Sequence, residues 1–128
     1  SNIIGMFSVF CASVCETIKL HHDIDNFMSK IGHNNRYIDE LIQTCGTTEN
    51  NTVESCVNRI KNLQEEINEL KIQLNIHREN IKSSIQDHKD QYKVIRELIP
   101  NSCDDMILKK ICDHKYKRLG DIMCYYTD

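Results

Sequence analysis

Proline occurs once and glycine four times in 128 residues, and tryptophan is missing. A chain so poor in turn formers makes few turns, and therefore long elements. Alternating runs of Val, Thr or Tyr are missing too, which removes the strand signal. No phosphate-binding glycine loop, nucleophile motif or C-x-x-C pair occurs, so the common enzyme, zinc-ribbon and thioredoxin-like signatures are excluded. Charge of one sign is also lacking. The formal net charge is −3, and the densest basic cluster (Lys109, Lys110, Lys115, Lys117, Arg118) lies among Asp104, Asp105, Asp113 and Asp121. Nucleic-acid binding needs a one-signed footprint, so no nucleic-acid partner is expected.

What is abundant is helical periodicity. Apolar residues at Ile3, Phe7, Phe10, Cys11, Val14 and Ile18 make one stripe, continued by Ile24, Phe27, Met28 and Ile31. Gly32 reads as a C-cap. The spacing therefore predicts a helix over about 4–31. Asn34 or Asn35 then caps a short second helix over 35–45, which Gly46 ends. After a polar loop, Thr48 or Asn51 starts a long helix over about 53–99, stopped by Pro100. Within it Ile60, Leu63, Ile67, Leu70 and Leu74 alternate three and four apart, a heptad seam. A last helix is expected over about 104–124. The length fits a single domain spanning 1–128. The fold class expected is all-α: a disulfide-stapled helical bundle or hairpin built around the long helix.

Seven cysteines are present: Cys11, Cys15, Cys45, Cys56, Cys103, Cys112 and Cys124. Without metal-type spacing, that number points to disulfides in an exported protein, with one thiol left over. Cys11 and Cys15 share a helix face and cannot easily join each other, so each should reach a facing element. Cys45 and Cys56 either close their loop directly or each meet the first helix. The competing chemistry is zinc on Cys103, Cys112, His114 and Cys124, which has only one close ligand pair. Asn50-Asn51-Thr52 is a glycosylation sequon, which makes Asn50 a candidate acceptor. The apolar start, Ile3 to Val14, is too short to span a bilayer. It reads as a buried helix start, with any export signal already removed. His77 and His88 fall on the apolar seam of the long helix, as core or register residues and candidate pH sensors. Lys61–Glu65, Asn62–Glu66 and Lys93–Glu97 are helix-surface neighbours that keep the long helix soluble.

The chain also holds an internal echo. Tyr37 lies eight residues before Cys45, and Tyr116 eight before Cys124; His33 and Cys112 stand four before each Tyr. Ile (18), Asn (12) and Lys (11) are abundant, as in A/T-rich coding sequences. With Cys112, Tyr116 and Cys124 as one motif, and Tyr37 and Cys45 as the rest of another, the chain resembles the aphid "bicycle" salivary effectors. That family is named for two Cys-Tyr-Cys motifs; His33 stands where the matching Cys would be, a departure from the pattern. The resemblance covers a handful of residues. It implies a secreted effector of host biology and brings no enzymatic residues with it.

The expectations are therefore a secreted, non-enzymatic effector or salivary-type protein that binds a host macromolecule, without cofactor, metal or membrane. The alternatives are a homodimer through the Ile60–Leu74 seam, and an intracellular helical protein, for example viral, with free thiols.

Overall fold

The computed structural model describes the backbone of residues 2–99 and 103–126, and the side chains of 3–99 and 106–126. Three helices run in order: α1 (Asn2–Thr44), α2 (Val53–Leu98) and α3 (Cys103–Met123). No strand occurs among the described residues, so the all-α class is as expected. The long helix and the last one also fall within a residue of their expected ends. The expected stop at Pro100 lies outside the described residues.

The expected break between helices over 4–31 and 35–45 does not exist. α1 passes through Gly32, Asn34 and Asn35 without interruption. Gly32 does not take the left-handed conformation of a C-cap; the only positive φ among the described residues is at Gly46 (77°). A glycine inside a helix costs about 1 kcal/mol against alanine. That cost is overcome because the apolar stripe never loses phase. Ile24, Phe27, Ile31, Asn34, Ile38, Leu41 and Cys45 alternate three and four apart straight across the proposed break.

The chain divides into two compact units, residues 23–76 and residues 1–22 with 77–128. The first is a helical hairpin. Its turn is built by Thr44 to Thr52. Gly46 turns the chain out of α1, and its N–H donates to the Asn51 carbonyl. Thr47 donates through both its N–H (3.2 Å) and its hydroxyl (2.7 Å) to the Thr44 carbonyl. The cap of α2 is Thr52, whose Oγ1 accepts from the Ser55 N–H at 3.1 Å. Thr48 and Asn51, the expected caps, sit in the turn instead.

The hairpin sets the α1 seam antiparallel to Cys56, Ile60, Leu63, Ile67, Leu70 and Leu74 of α2. With Cys45 opposite Cys56, the two three-four patterns stay in step. Ile24, Leu41, Cys56, Ile67 and Leu70 are buried, and Ile60, Leu63 and Leu74 half-buried. The five seam residues read from sequence as a surface for a second copy are thus covered by the chain's own α1. The reason is that the partner stripe was split in two by the misplaced break.

Asn34 is the polar intruder in this seam. It is 8 % exposed, and its side-chain nitrogen is enclosed without a hydrogen-bond partner. A polar residue at one seam position fixes register at a cost in stability. Two outcomes follow. Ile67→Asp places a charge in the hairpin core and costs about 3 kcal/mol or more in urea unfolding. Asn34→Leu removes an unpaired buried amide and raises stability by about 1–2 kcal/mol. A destabilised Asn34→Leu protein would show that the amide is satisfied in solution.

Candidate interaction surface

The second unit holds the chemistry-bearing side chains. Here the first half of α1, the second half of α2 and α3 pack as three helices around Phe10, Val14, Ile81, Ile85, Ile95, Cys112 and Leu119, all buried. Polar side chains tie the helices together at specific points. Thr17 of α1 and His88 of α2 are both 3 % exposed, and Thr17 Oγ1 lies 2.7 Å from His88 Nε2. Because the Thr17 hydroxyl donates to the Ser13 carbonyl at 3.1 Å, its lone pair accepts from His88. This assigns the proton of the neutral ring to Nε2. Nδ1 is enclosed without an ordinary hydrogen bond, with the Gln91 side chain beside it. Burial lowers the His88 pKa from its ordinary 6.5; Gln91 and the charge of Asp87 oppose that weakly. A polar groove of about 380 Å³ runs alongside, lined by Ser13, Glu16, Thr17, Asn80, Ser83 and His88 among others.

Between α2 and α3, Asp113 accepts from the Tyr92 hydroxyl at 2.8 Å and pairs with Arg96 Nε at 3.0 Å. Tyr92 stacks on Tyr116 with ring centroids 3.9 Å apart and planes 11° from parallel, and Phe10 tilts against it at 6.5 Å. Beyond the end of α3, the buried Tyr126 places its hydroxyl 2.7 Å from His21 Nδ1, while Tyr125 lies over the same ring at 5.4 Å. These contacts join α2 to α3 and the segment after α3 to α1.

The six cysteines whose side chains are described are free thiols. The expected disulfide staples are therefore not present among them, and the Cys103 thiol lies outside the described side chains. Cys11 and Cys15 lie beside α3, without the disulfide partners expected on a facing element. Cys11 is half-buried and feels the charge state of Lys115 and Cys15, Cys112 in turn feels that of Cys11, and Lys115 Nζ lies 3.8 Å from the exposed Cys15 Sγ. Cys112 is fully enclosed, and burial pushes its thiol up to about 11. The zinc alternative is not supported by placement. Cys112 is buried while His114 and Cys124 are exposed, and among the described residues no three His, Cys, Asp or Glu side chains group as a metal site. Asn50 is exposed in the hairpin turn, a position open to glycosylation; the sequon's Thr52 hydroxyl serves as the α2 cap. The Tyr–Cys echo has one geometric counterpart. Cys45 and Cys124 are each the first residue after the end of their helix. The tyrosines differ: Tyr37 is exposed and Tyr116 is stacked.

Sequence periodicity missed the surface of α1. Its outward residues Ile4, Gly5, Met6, Ser8, Val9, Ala12 and Cys15 are all exposed, and none carries charge before Glu16. Ile4 and Val9 are 65 % and 58 % exposed. Counting only Ile3 to Val14, the run looked too short to span a bilayer. In the structure the apolar stretch continues past Val14 through Ile18 and Leu20. α1 is then long and apolar enough to cross a membrane, by length and composition, with only 17 % of that stretch buried. Met106, Ile107 and Ile111 form a second exposed apolar stripe on α3.

No family model, curated protein or solved structure matches the chain.

The Thr17–His88 pair gives a pH dependence with a definite sign. The folded-state pKa of His88 lies below its unfolded value, so the unfolded chain binds more protons in acid. The contribution of His88 is complete above about pH 6.5 and is lost as pH falls through the folded-state value. Urea unfolding at pH 7 and pH 5 should show a loss for the wild type that is smaller in His88→Gln. An equal loss in both would place the titration elsewhere.

Proposed function

We propose that the protein is a secreted, non-enzymatic effector of the salivary type that binds a host macromolecule. The observation that carries the reading is the uncharged outward face of α1, from Ile4 to Cys15. Ile4, Met6 and Val9 stand exposed on this face, and exposed apolar patches mark places where a chain meets something. An amphipathic helix face offers anchors at helical spacing to a groove or a second helix. Export is supported by the exposed sequon at Asn50. The resemblance to the "bicycle" effectors supports the host-directed part. The common placement of Cys45 and Cys124 just past their helix ends is consistent with a repeated helix-end module.

A second reading has its own observation. The same stretch of α1 has the length and composition of a membrane span. A buried core helix or an export signal passes the same test, but this stretch is mostly exposed. On this reading α1 meets lipid rather than protein.

One substitution separates the two. Val9→Asp lies on an exposed position and leaves unfolding within about 0.5 kcal/mol of wild type. Immobilised wild-type protein retains a defined component of host extract, and Val9→Asp weakens that binding at least about tenfold, as loss of a central anchor does. Retention unchanged by the substitution would contradict the effector reading. Flotation of the wild type with phosphatidylcholine vesicles, abolished by Val9→Asp, would favour the lipid reading instead.

A further inference from the structure

The mouth of the hairpin holds two thiols that no other part of the account uses. Cys45 is the first residue after α1, and Cys56 lies in the first turn of α2. The turn between them is tied shut. Gly46 donates to the Asn51 carbonyl, Asn51 donates back to the Thr48 carbonyl at 3.1 Å, and the Cys56 N–H donates to the Thr52 carbonyl at 3.0 Å. These bonds bring the end of α1 to the start of α2 and put the two cysteines at the last level of the paired seams. Cys56 is 1 % exposed and Cys45 is half-buried. We propose that Cys45 and Cys56 form a redox pair that closes as a disulfide across the hairpin turn.

Cys56 is also the neighbour that acts most on the Cys45 thiol. A hydrogen bond to Cys56 is the main cause that raises the Cys45 pKa, ahead of burial. Sequence left this pairing open among several; the hairpin register selects it. Among the other described thiols, Cys11 interacts with Cys15 and Cys112 through charge alone. Cys15 and Cys124 are exposed, Cys15 beside a lysine. Cys112 is fully enclosed, and its thiol ionises only near 11, so it is slow to react.

The oxidant is a small organic disulfide, of the kind that sets the poise of an oxidising compartment. Cys45 has the access. Its thiolate attacks one sulfur of the small disulfide, forms a mixed disulfide and releases one small thiol. The enclosed Cys56 then attacks the Cys45 sulfur and releases the second small thiol. Two protein thiols lose two electrons and two protons, and the oxidant becomes two thiols. Because Cys45 ionises above its ordinary range, the first step accelerates as pH rises.

The inference goes beyond the proposed function and stands independently of it; it applies whether α1 meets protein, lipid or nothing. The test uses the full-length protein and oxidised glutathione. After incubation at pH 8, rapid alkylation and digestion, the Cys45 and Cys56 peptides should appear linked, with intact mass lower by about 2 Da per bond. The thermal midpoint should rise by several degrees and return on reduction. Cys45→Ser should remove both the link and the rise, while folding as a reduced protein. Finding both residues alkylated after oxidation, or either linked to a different cysteine, would overturn the proposal.

Discussion

The hairpin depends on two heptad seams staying in phase, Ile24 to Cys45 on α1 and Cys56 to Leu74 on α2. The α1 half has little intrinsic support. α1 carries Gly32 and an Asn pair in its middle, and neither terminal turn is charged to suit the helix dipole. What holds this stretch helical is burial of the stripe against its partner, the usual source of helix stability in proteins. The turn needs Gly46 in a left-handed conformation and a threonine cap at Thr52. Both set the antiparallel order.

Polar residues in and beside the two cores set details that apolar packing leaves free. Asn34 marks one level of the hairpin seam. In the other unit, Thr17 and His88 fix a level between α1 and α2, and Asp113 with Tyr92 and Arg96 fixes α3 on α2. Buried polar pairs contribute little net stability, but they penalise wrong registers, because a mismatched partner leaves a group unsatisfied. The cysteines follow the same logic of position. Enclosed Cys112 and Cys56 act as small apolar residues, whereas exposed Cys15 and Cys124 do not.

The helical class and the extent of α2 and α3 were legible because low glycine and proline content and a sustained period carry that information directly. Gly46 was also readable as a helix end. Gly32 was not. A glycine beside two asparagines has the local signature of a cap, and only the pairing with α2, a non-local fact, decides against it. The same misreading hid the α1 stripe, so the Ile60–Leu74 seam looked unpartnered and suggested a second copy. His88 was legible as a seam residue, but its Thr17 partner lies 71 positions away. The uncharged face of α1 was present in the sequence all along. It was read as core because periodicity tells which residues share a face, not which face is covered.

The reading of this chain as a binding protein rests on a scaffold whose hairpin seam is buried at Ile24, Leu41, Ile67 and Leu70 while Ile4 and Val9 of α1 stay exposed. The scaffold stands or falls on the continuity of α1. Amide hydrogen exchange at Gly32 to Tyr37, in native buffer, is the most direct measurement. Protection there equal to that of Ile24 to Ile31 is the predicted result. Exchange within seconds at Gly32 to Asn35, flanked by slow segments, would show two helices with a break, and would contradict the paired-seam account.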